Sequence, residues 1–469
     1  MRKRFMGLAA ATLACASAAW ATDLSAAPSA PQANLSVTPV YMDDATPTTQ
    51  TPIMWGLDKA GVGKWLEDNN IAITGFVEGG YFYDTSNPRL GKQTGRVAPD
   101  SNTGDSPTGI VFPGAYSNRG LLDQADLMIQ KTIDPKKSID FGFQIEGGYG
   151  TDDAQIHSYG ILDNRAPATF YNKFNPNPSA GSPQNQFDLI QANVSLSLPI
   201  GTGLTIKAGK FVTPFGNETI NPTNNQFYTH SYLFTDGIPL TQTGILGYYT
   251  FPKLVMGNDL TVFGGITRGW NVSSSDNNGE IDFLGGASAS ITDKLSLVMN
   301  VSEGPQTPND FPSEPGFKGG SGNYWSVIEM IPTYKVSDQL TLALDTLYAD
   351  FPHGSLADSG HAAQWYSAAF YAGYKVCNYA TINGRLEYYR DQGGFSTGSG
   401  VSANYYEATA GVQIHPFPTN DIGQYFQIRP EVRYDYSDKP VFNGAHDSAI
   451  TGSGDYGQFT VAMDAIMSL

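Results

Sequence analysis

Residues 426–436 read FQIRPEVRYDY. Phe426, Ile428, Pro430, Val432, Tyr434 and Tyr436 share one parity, and Gln427, Arg429, Glu431, Arg433 and Asp435 share the other. Successive side chains of a strand point to opposite faces, so this segment predicts a strand with one oily wall and one charged wall. A soluble sandwich would turn the oily wall inward and a membrane barrel would turn it outward, so one strand leaves the choice open.

The remainder of the chain narrows it. In IDFGFQIEGGYG (139–150), Ile139, Phe141, Phe143, Ile145 and Tyr149 oppose Asp140, Gln144 and Glu146. ATINGRLEYYRD, NYYEATAGVQI and the final segment through Leu469 repeat the alternation. From residue 71 onward such segments, each of roughly ten residues, are separated alternately by short turns and by long Gly, Asn, Ser and Pro loops. They start near residues 71, 124, 139, 187, 204, 241, 259, 280, 295, 323, 340, 363, 380, 403, 422 and 456. The short connections are 134–138, 199–203, 252–259, 292–294, 337–339, 376–379 and 415–421; the long ones include 84–122, 151–186 and 213–240. None of these segments is the continuous apolar run of a doubly covered sheet.

The expected fold is therefore all-β, a closed antiparallel transmembrane β-barrel of about sixteen strands with short periplasmic turns and long extracellular loops. After the first residues no apolar run reaches roughly 18, which excludes an ordinary spanning helix and leaves a closed barrel as the way to cross. About eight strands are filled by their own side chains, whereas about sixteen enclose water.

The N-terminus agrees with export. Arg2, Lys3 and Arg4 precede an apolar run from Phe5 to Ala14, and Ala19-Trp20-Ala21 forms a small-x-small cleavage site, so residues 1–21 read as a signal peptide. Residues 22–51, rich in Ala, Pro and Thr, read as a disordered periplasmic linker. Residues 52–70 form a short possible periplasmic helix, weakened by internal glycines, and 71–469 the barrel. The whole chain carries 27 bases against 44 acids; removing 1–21 takes three bases and no acid, so the net charge goes from −17 to −20. Nucleic acid is a poor partner for such a surface.

Three blocks carry a resemblance: GFVEGGYFYDTSNPR near residue 75, IKAGKFVTPFGNETINPTNNQFYTHSYLF from 206, and FQIRPEVRYDYSDKP from 426. With them the chain, over about 52–469, resembles the OmpL-like β-barrel porin-2 family of Gram-negative outer membranes. The resemblance implies an outer-membrane porin passing small hydrophilic solutes by diffusion, and no catalytic residue. In sixteen-stranded general porins the third outer loop narrows the lumen, so 213–240 is the expected constriction here. Such porins trimerise, which implies a homotrimer contacting outer-membrane lipid and lipopolysaccharide. The terminal Leu469 departs from the aromatic residue usual in outer-membrane barrels.

Parity assigns the pore-lining candidates: Lys207, Arg385, Glu387, Glu407, Arg429, Glu431 and Arg433 on strands, with Lys210, Glu218 and Asp236 at the third loop. Acids outnumber bases on lumen parity, which favours cations. Arg385, Arg429 and Arg433 facing Glu218 or Asp236 would set a transverse field; alternatively each arginine pairs with Glu387, Glu407 or Glu431 and keeps a polar wall hydrated. Other functions weighed are a substrate-specific channel for a sugar or phosphate, with few lumen lysines against the phosphate version, and a non-conducting barrel serving as adhesin or structural anchor. GFSTG (394–398) has the spacing of a nucleophile elbow, but no helix pattern follows it. The six histidines show no ligand spacing, and neither a metal nor a cofactor is expected. Pro430 lacks an N–H in a barrel without edges, which predicts a bulge or a break in the ladder.

Overall fold

A two-residue period closes on itself only if every strand finds two partners, and a computed structural model shows that outcome. It describes residues 51–84, 119–133, 139–158, 186–274, 278–306, 322–358, 360–442 and 455–469. The first eight strands are β1 (Ile71–Asp84), β2 (Arg119–Lys131), β3 (Asp140–Gly150), β4 (Gln186–Leu198), β5 (Leu204–Val212), β6 (Thr241–Val255), β7 (Asn258–Trp270) and β8 (Asp282–Ser290). The second eight are β9 (Leu295–Gly304), β10 (Trp325–Lys335), β11 (Leu340–Phe351), β12 (Ala363–Cys377), β13 (Ala380–Asp391), β14 (Ala403–Ile414), β15 (Phe426–Ser437) and β16 (Gly457–Ser468). Each pairs antiparallel with its neighbours in sequence, and β1 closes on β16. The seam extends to the last residue, where Leu469 and Gly75 exchange backbone hydrogen bonds. Among the described residues no helix is long and apolar enough to cross a membrane.

The alternation is physical. On β15, Val432, Tyr434 and Tyr436 are 44%, 50% and 42% exposed, while Arg429, Glu431, Arg433 and Asp435 are buried inside. The oily wall therefore faces outward, as lipid requires, and the charged wall faces the lumen. Leu386, exposed in the middle of β13, is one such outward position. Leu386→Arg is expected to cost about 2–4 kcal/mol, the depth-dependent cost of a cation on the lipid face. Urea titration of the variant refolded into vesicles checks this, and a midpoint equal to the parent's would refute it.

Prolines inside strands locate the irregularities. Across Pro430 the register with β16 is unbroken, with Pro430 opposite Met463, but the pairing with β14 passes from Gly411↔Glu431 directly to Ile414↔Ile428. The result is a local break without a bulge, since the register on both sides of the gap is the same. Pro332 interrupts the β10–β11 ladder in the same way, between Met330↔Thr346 and Thr333↔Ala343. Pro252 sits at a register shift instead, so β6 and β7 continue past the expected 252–259 turn to a tip at Met256 and Gly257, both at positive φ.

Before the barrel, Pro52–Lys59 and Gly63–Asp68 form two short helices. The break falls at Gly61, whose φ of 84° ends the first helix. Met54 is fully buried, and its Sδ lies 3.4 Å from the Ile73 N–H, so this segment rests on the start of β1.

Candidate functional site

Residues 213–240, between β5 and β6, turn into the barrel, where their backbone loses water and must find partners on the wall. Carboxylates supply the acceptors. Glu329 Oε1 accepts from Gly216 N–H at 2.9 Å, Asp345 Oδ2 from Asn217 N–H at 2.8 Å and Glu431 Oε2 from Tyr228 N–H at 2.8 Å. Glu387 takes two, from Tyr232 N–H at 2.6 Å and Leu233 N–H at 2.8 Å.

The arginines supply donors to the same loop. Arg429 Nη1 donates to the carbonyls of Pro222 (2.7 Å) and Asn225 (2.8 Å), Arg385 Nη1 to Thr229 (2.8 Å) and Arg433 Nη1 to His230 (2.5 Å). Asn300, Asn383 and Trp365 add side-chain donors to Pro214, Gln226 and Gly237 carbonyls. The loop is thus a strap fastened from β9 round to β15, with almost every wall anchor a buried polar group satisfied by backbone.

Each arginine is also ion-paired. Arg385 meets Glu218 at 2.6 Å and Glu407 at 3.0 Å; Arg429 meets Glu78 at 3.1 Å and Asp464; Arg433 meets Asp435 at 2.7 Å. All three guanidinium groups are buried. Arg385 therefore both faces Glu218 and pairs with Glu407, combining the two arrangements considered for it. Burial alone would push the Glu218 carboxyl up; Arg385, His230 and the Ser231 N–H outweigh it and hold the group below the usual carboxylate range. Asp236 lies at the far end of the strap beside Tyr389 and Tyr405. Lys210 is buried against Asp188 (3.4 Å) and the Leu189 carbonyl, and half-buried Lys207 reaches Gln144 at 3.5 Å.

Two sides of the lumen differ. Toward the long-loop end of β10–β14 the space is filled by aromatic packing: Trp325 meets Trp365 edge-on at 5.6 Å and Phe395 at 5.2 Å, and Leu233, Phe234 and Ile238 of the strap join the cluster. Within 394–398, Phe395 belongs to this cluster, Ser396 Oγ accepts from Tyr389, and Asp391 holds the turn through Phe395 and Thr397 N–H groups. On the β2–β6 side a cavity of about 90 Å³ remains, bordered by Glu146, Gln191, Lys207, Asn221, Asn224 and Tyr248.

Sequence reading did not place Glu329, Asp345, Asn300 or Trp365 at the strap; lumen parity was the available signal. Nor did it foresee that 151–158 also turns inward, with His157 Nδ1 at 2.7 Å from Asp188 and both side chains fully buried. His230, one of the six histidines, stacks on Phe234 at 4.3 Å inside the barrel. Among the described residues no group of three His, Cys, Asp or Glu side chains is placed to hold a metal ion.

A closed sixteen-stranded barrel, oily outside and polar within, is the architecture of outer-membrane porins. The chain belongs to the family described as "Putative beta-barrel porin-2, OmpL-like", whose model matches residues 70–469. It is accordingly a porin-like channel protein of the outer membrane. No curated protein matches it in sequence. Among solved structures it is similar to an anion-selective porin from Comamonas acidovorans (12% identity, TM-score 0.51, covering 85% of this chain and 99% of that one). It is also similar to the outer membrane channel DcaP of Acinetobacter baumannii (13%, TM-score 0.46, 85% and 97%). Salmonella typhi OmpF in complex with daunomycin matches at 12%, TM-score 0.45, 85% and 97%. At 12% identity the likeness to the Comamonas acidovorans porin is one of fold.

Proposed function

We propose that the protein passes small hydrophilic solutes and ions by passive diffusion, through a water-filled path that the 213–240 loop constricts. The observation that carries this reading is the strap itself: it lies inside the barrel and is fastened to the wall by side chains of successive strands. Lys207, Lys210, Glu218, Asp236, Arg385, Glu387, Glu407, Arg429, Glu431 and Arg433 then border or brace the constriction, the arginines and glutamates chiefly by holding the loop. No chemistry is performed; a solute crosses down its own gradient.

In the same reading residues 1–21 direct export and are removed, 22–51 link, and 52–70 stay at the periplasmic rim. Lipid and lipopolysaccharide contact the oily wall, and three copies assemble as a homotrimer. Single-channel recording of the refolded protein in planar bilayers tests the proposal. Stepwise conductance supports it, whereas silent insertion would favour the non-conducting anchor, a reading that the aromatic filling beside β10–β14 keeps in view.

A further inference from the structure

The lumen is electrostatically lopsided. On the β13–β16 side the three buried arginines, Arg385, Arg429 and Arg433, are each matched by a buried carboxylate, and each donates from Nη1 to loop carbonyls. Those three guanidinium groups are thereby neutralised and committed to the wall and the strap. On the β2–β5 side the balance is reversed. Asp123 and Asp126 of β2, Glu146 of β3, Asp152 and Asp153 just beyond it, and Asp188 of β4 face the lumen against Lys207 and Lys210 of β5. Lys210 is committed to Asp188, which also takes His157.

Strand register puts these acids in order of height. Glu146, opposite Met128 and Gln191, borders the cavity. One step toward the long-loop end, Asp126 and Asp188 both stand opposite Gly148. Asp153 lies over Gly148 in turn: a Cβ there would come 2.1 Å from its Oδ1. Beside it, Gly150 packs against Asp123.

Several carboxyl oxygens of these groups lack hydrogen-bond partners. Both carboxyl oxygens of Asp153, Oδ2 of Asp126 and Oδ1 of Asp152 make no hydrogen bond, although the residues are 0%, 6% and 4% exposed. Unpaired buried carboxylates are costly unless a proton or another cation joins them. Among the described residues no trio of His, Cys, Asp or Glu is arranged to coordinate a bare metal; where a proton does not join these groups, a hydrated cation passing them supplies the compensating charge.

We propose that the conducting path follows the β2–β5 wall, between it and the strap, and that Asp126, Glu146 and Asp153 make it selective for small hydrated cations over anions. This rests on the channel reading above and adds the side of the barrel, the residues and the sign. Burial, then the nearby Asp188 and Glu146 charges, push the Asp153 carboxyl up to about 8. Facing it are Asp126 and Asp123 from β2, Glu146 from β3, Asp188 from β4 and Lys210 from β5, with Asp152 and His157 on its own segment. Cation selectivity accordingly rises as pH rises through that value.

The experiment is the reversal potential of the full chain in a potassium chloride gradient across a planar bilayer, at pH 6 and pH 9, beside the variant D126N/E146Q/D153N. Amides remove the mutual repulsion of these carboxylates while keeping their shape. Expected are a cation-selective potential in the parent, larger at pH 9, and a several-fold fall of the K⁺/Cl⁻ permeability ratio toward unity in the variant. Should the variant be poorly folded, D153N alone and the parent's pH dependence carry the test. Conductance with an anion-selective potential, or with one that neither pH nor D153N moves, overturns the inference alone; absence of conductance overturns the channel reading with it.

Discussion

Arg385→Met is expected to destabilise the barrel by about 3–5 kcal/mol, the cost of removing one partner from a buried ion pair. The guanidinium has no exposure and serves two carboxylates at once, Glu218 on the strap and Glu407 on β14, as well as the Thr229 carbonyl. Methionine keeps most of the volume, and Phe227, whose ring lies 5.1 Å from the guanidinium carbon, would still pack against it. What remains is two buried carboxylates without a cation, so the loss is electrostatic rather than a cavity. The triple variant R385M/E218Q/E407Q should recover most of the stability, because neutral isosteres in a dry site lose the attraction and the desolvation cost together. Urea titrations followed by tryptophan fluorescence decide it: equal midpoints for parent and R385M would sink the idea, and so would a triple variant no better than the single.

The same pair predicts an acid response. Glu218 is held below its ordinary value of 4.5, so its contribution is fully present above that value and is lost as pH falls through the folded-state value. Acid therefore loosens the strap from the Glu218 side, visible as a falling protection factor, exchange corrected for the intrinsic rate at each pH, at Ser231, whose N–H that carboxylate accepts at 2.8 Å. A Ser231 protection factor that stays constant between pH 6 and pH 3 would contradict this.

Strands were legible because a barrel imposes one rule, parity, on every residue between turns. β1, β5, β6, β9, β11, β12, β13 and β14 begin where the alternation begins. The departures have local causes. The segment expected from 422 starts later: Asn420 Oδ1 accepts from the Ile422 and Gly423 N–H groups and winds them into a turn, so β15 starts at Phe426. Pro252 and Gly257 resemble one long turn, but the proline is absorbed by a register shift inside β6. At the site, parity put Arg385, Arg429 and Arg433 inside, whereas their attachment to loop carbonyls was not readable. Gly216 and Glu329 are 113 residues apart and Asn217 and Asp345 128, and no periodicity links a loop amide to a carboxylate across a lumen. Asp236, grouped by charge with Glu218, ended among tyrosines for the same reason.

Glu387→Ala with Glu431→Ala is expected to raise single-channel conductance several-fold and make it noisy. These two carboxylates hold the middle of the strap: Glu387 accepts from Tyr232 and Leu233 N–H, Glu431 from Tyr228 and Thr229 N–H and from the Thr229 hydroxyl. Truncating either leaves buried N–H groups unsatisfied at about 1–3 kcal/mol each, and the loop can recover that only by swinging toward water. The wall that would replace them is already occupied: Asp345 accepts from Asn217, and Ser367 donates to Glu387 rather than accepting. Glutamine at both positions keeps one acceptor per side chain and should give an intermediate conductance, which separates loss of the fastening from loss of charge. Hydrogen exchange locates the change, with Tyr228, Thr229, Tyr232 and Leu233 amides losing protection while those of β13 and β15 keep theirs. If conductance and protection both stay at parent values, the strap is held instead by its apolar end, where Leu233, Phe234 and Ile238 are packed in the aromatic cluster. The same double substitution made together with Phe234→Ala would then be needed to free it.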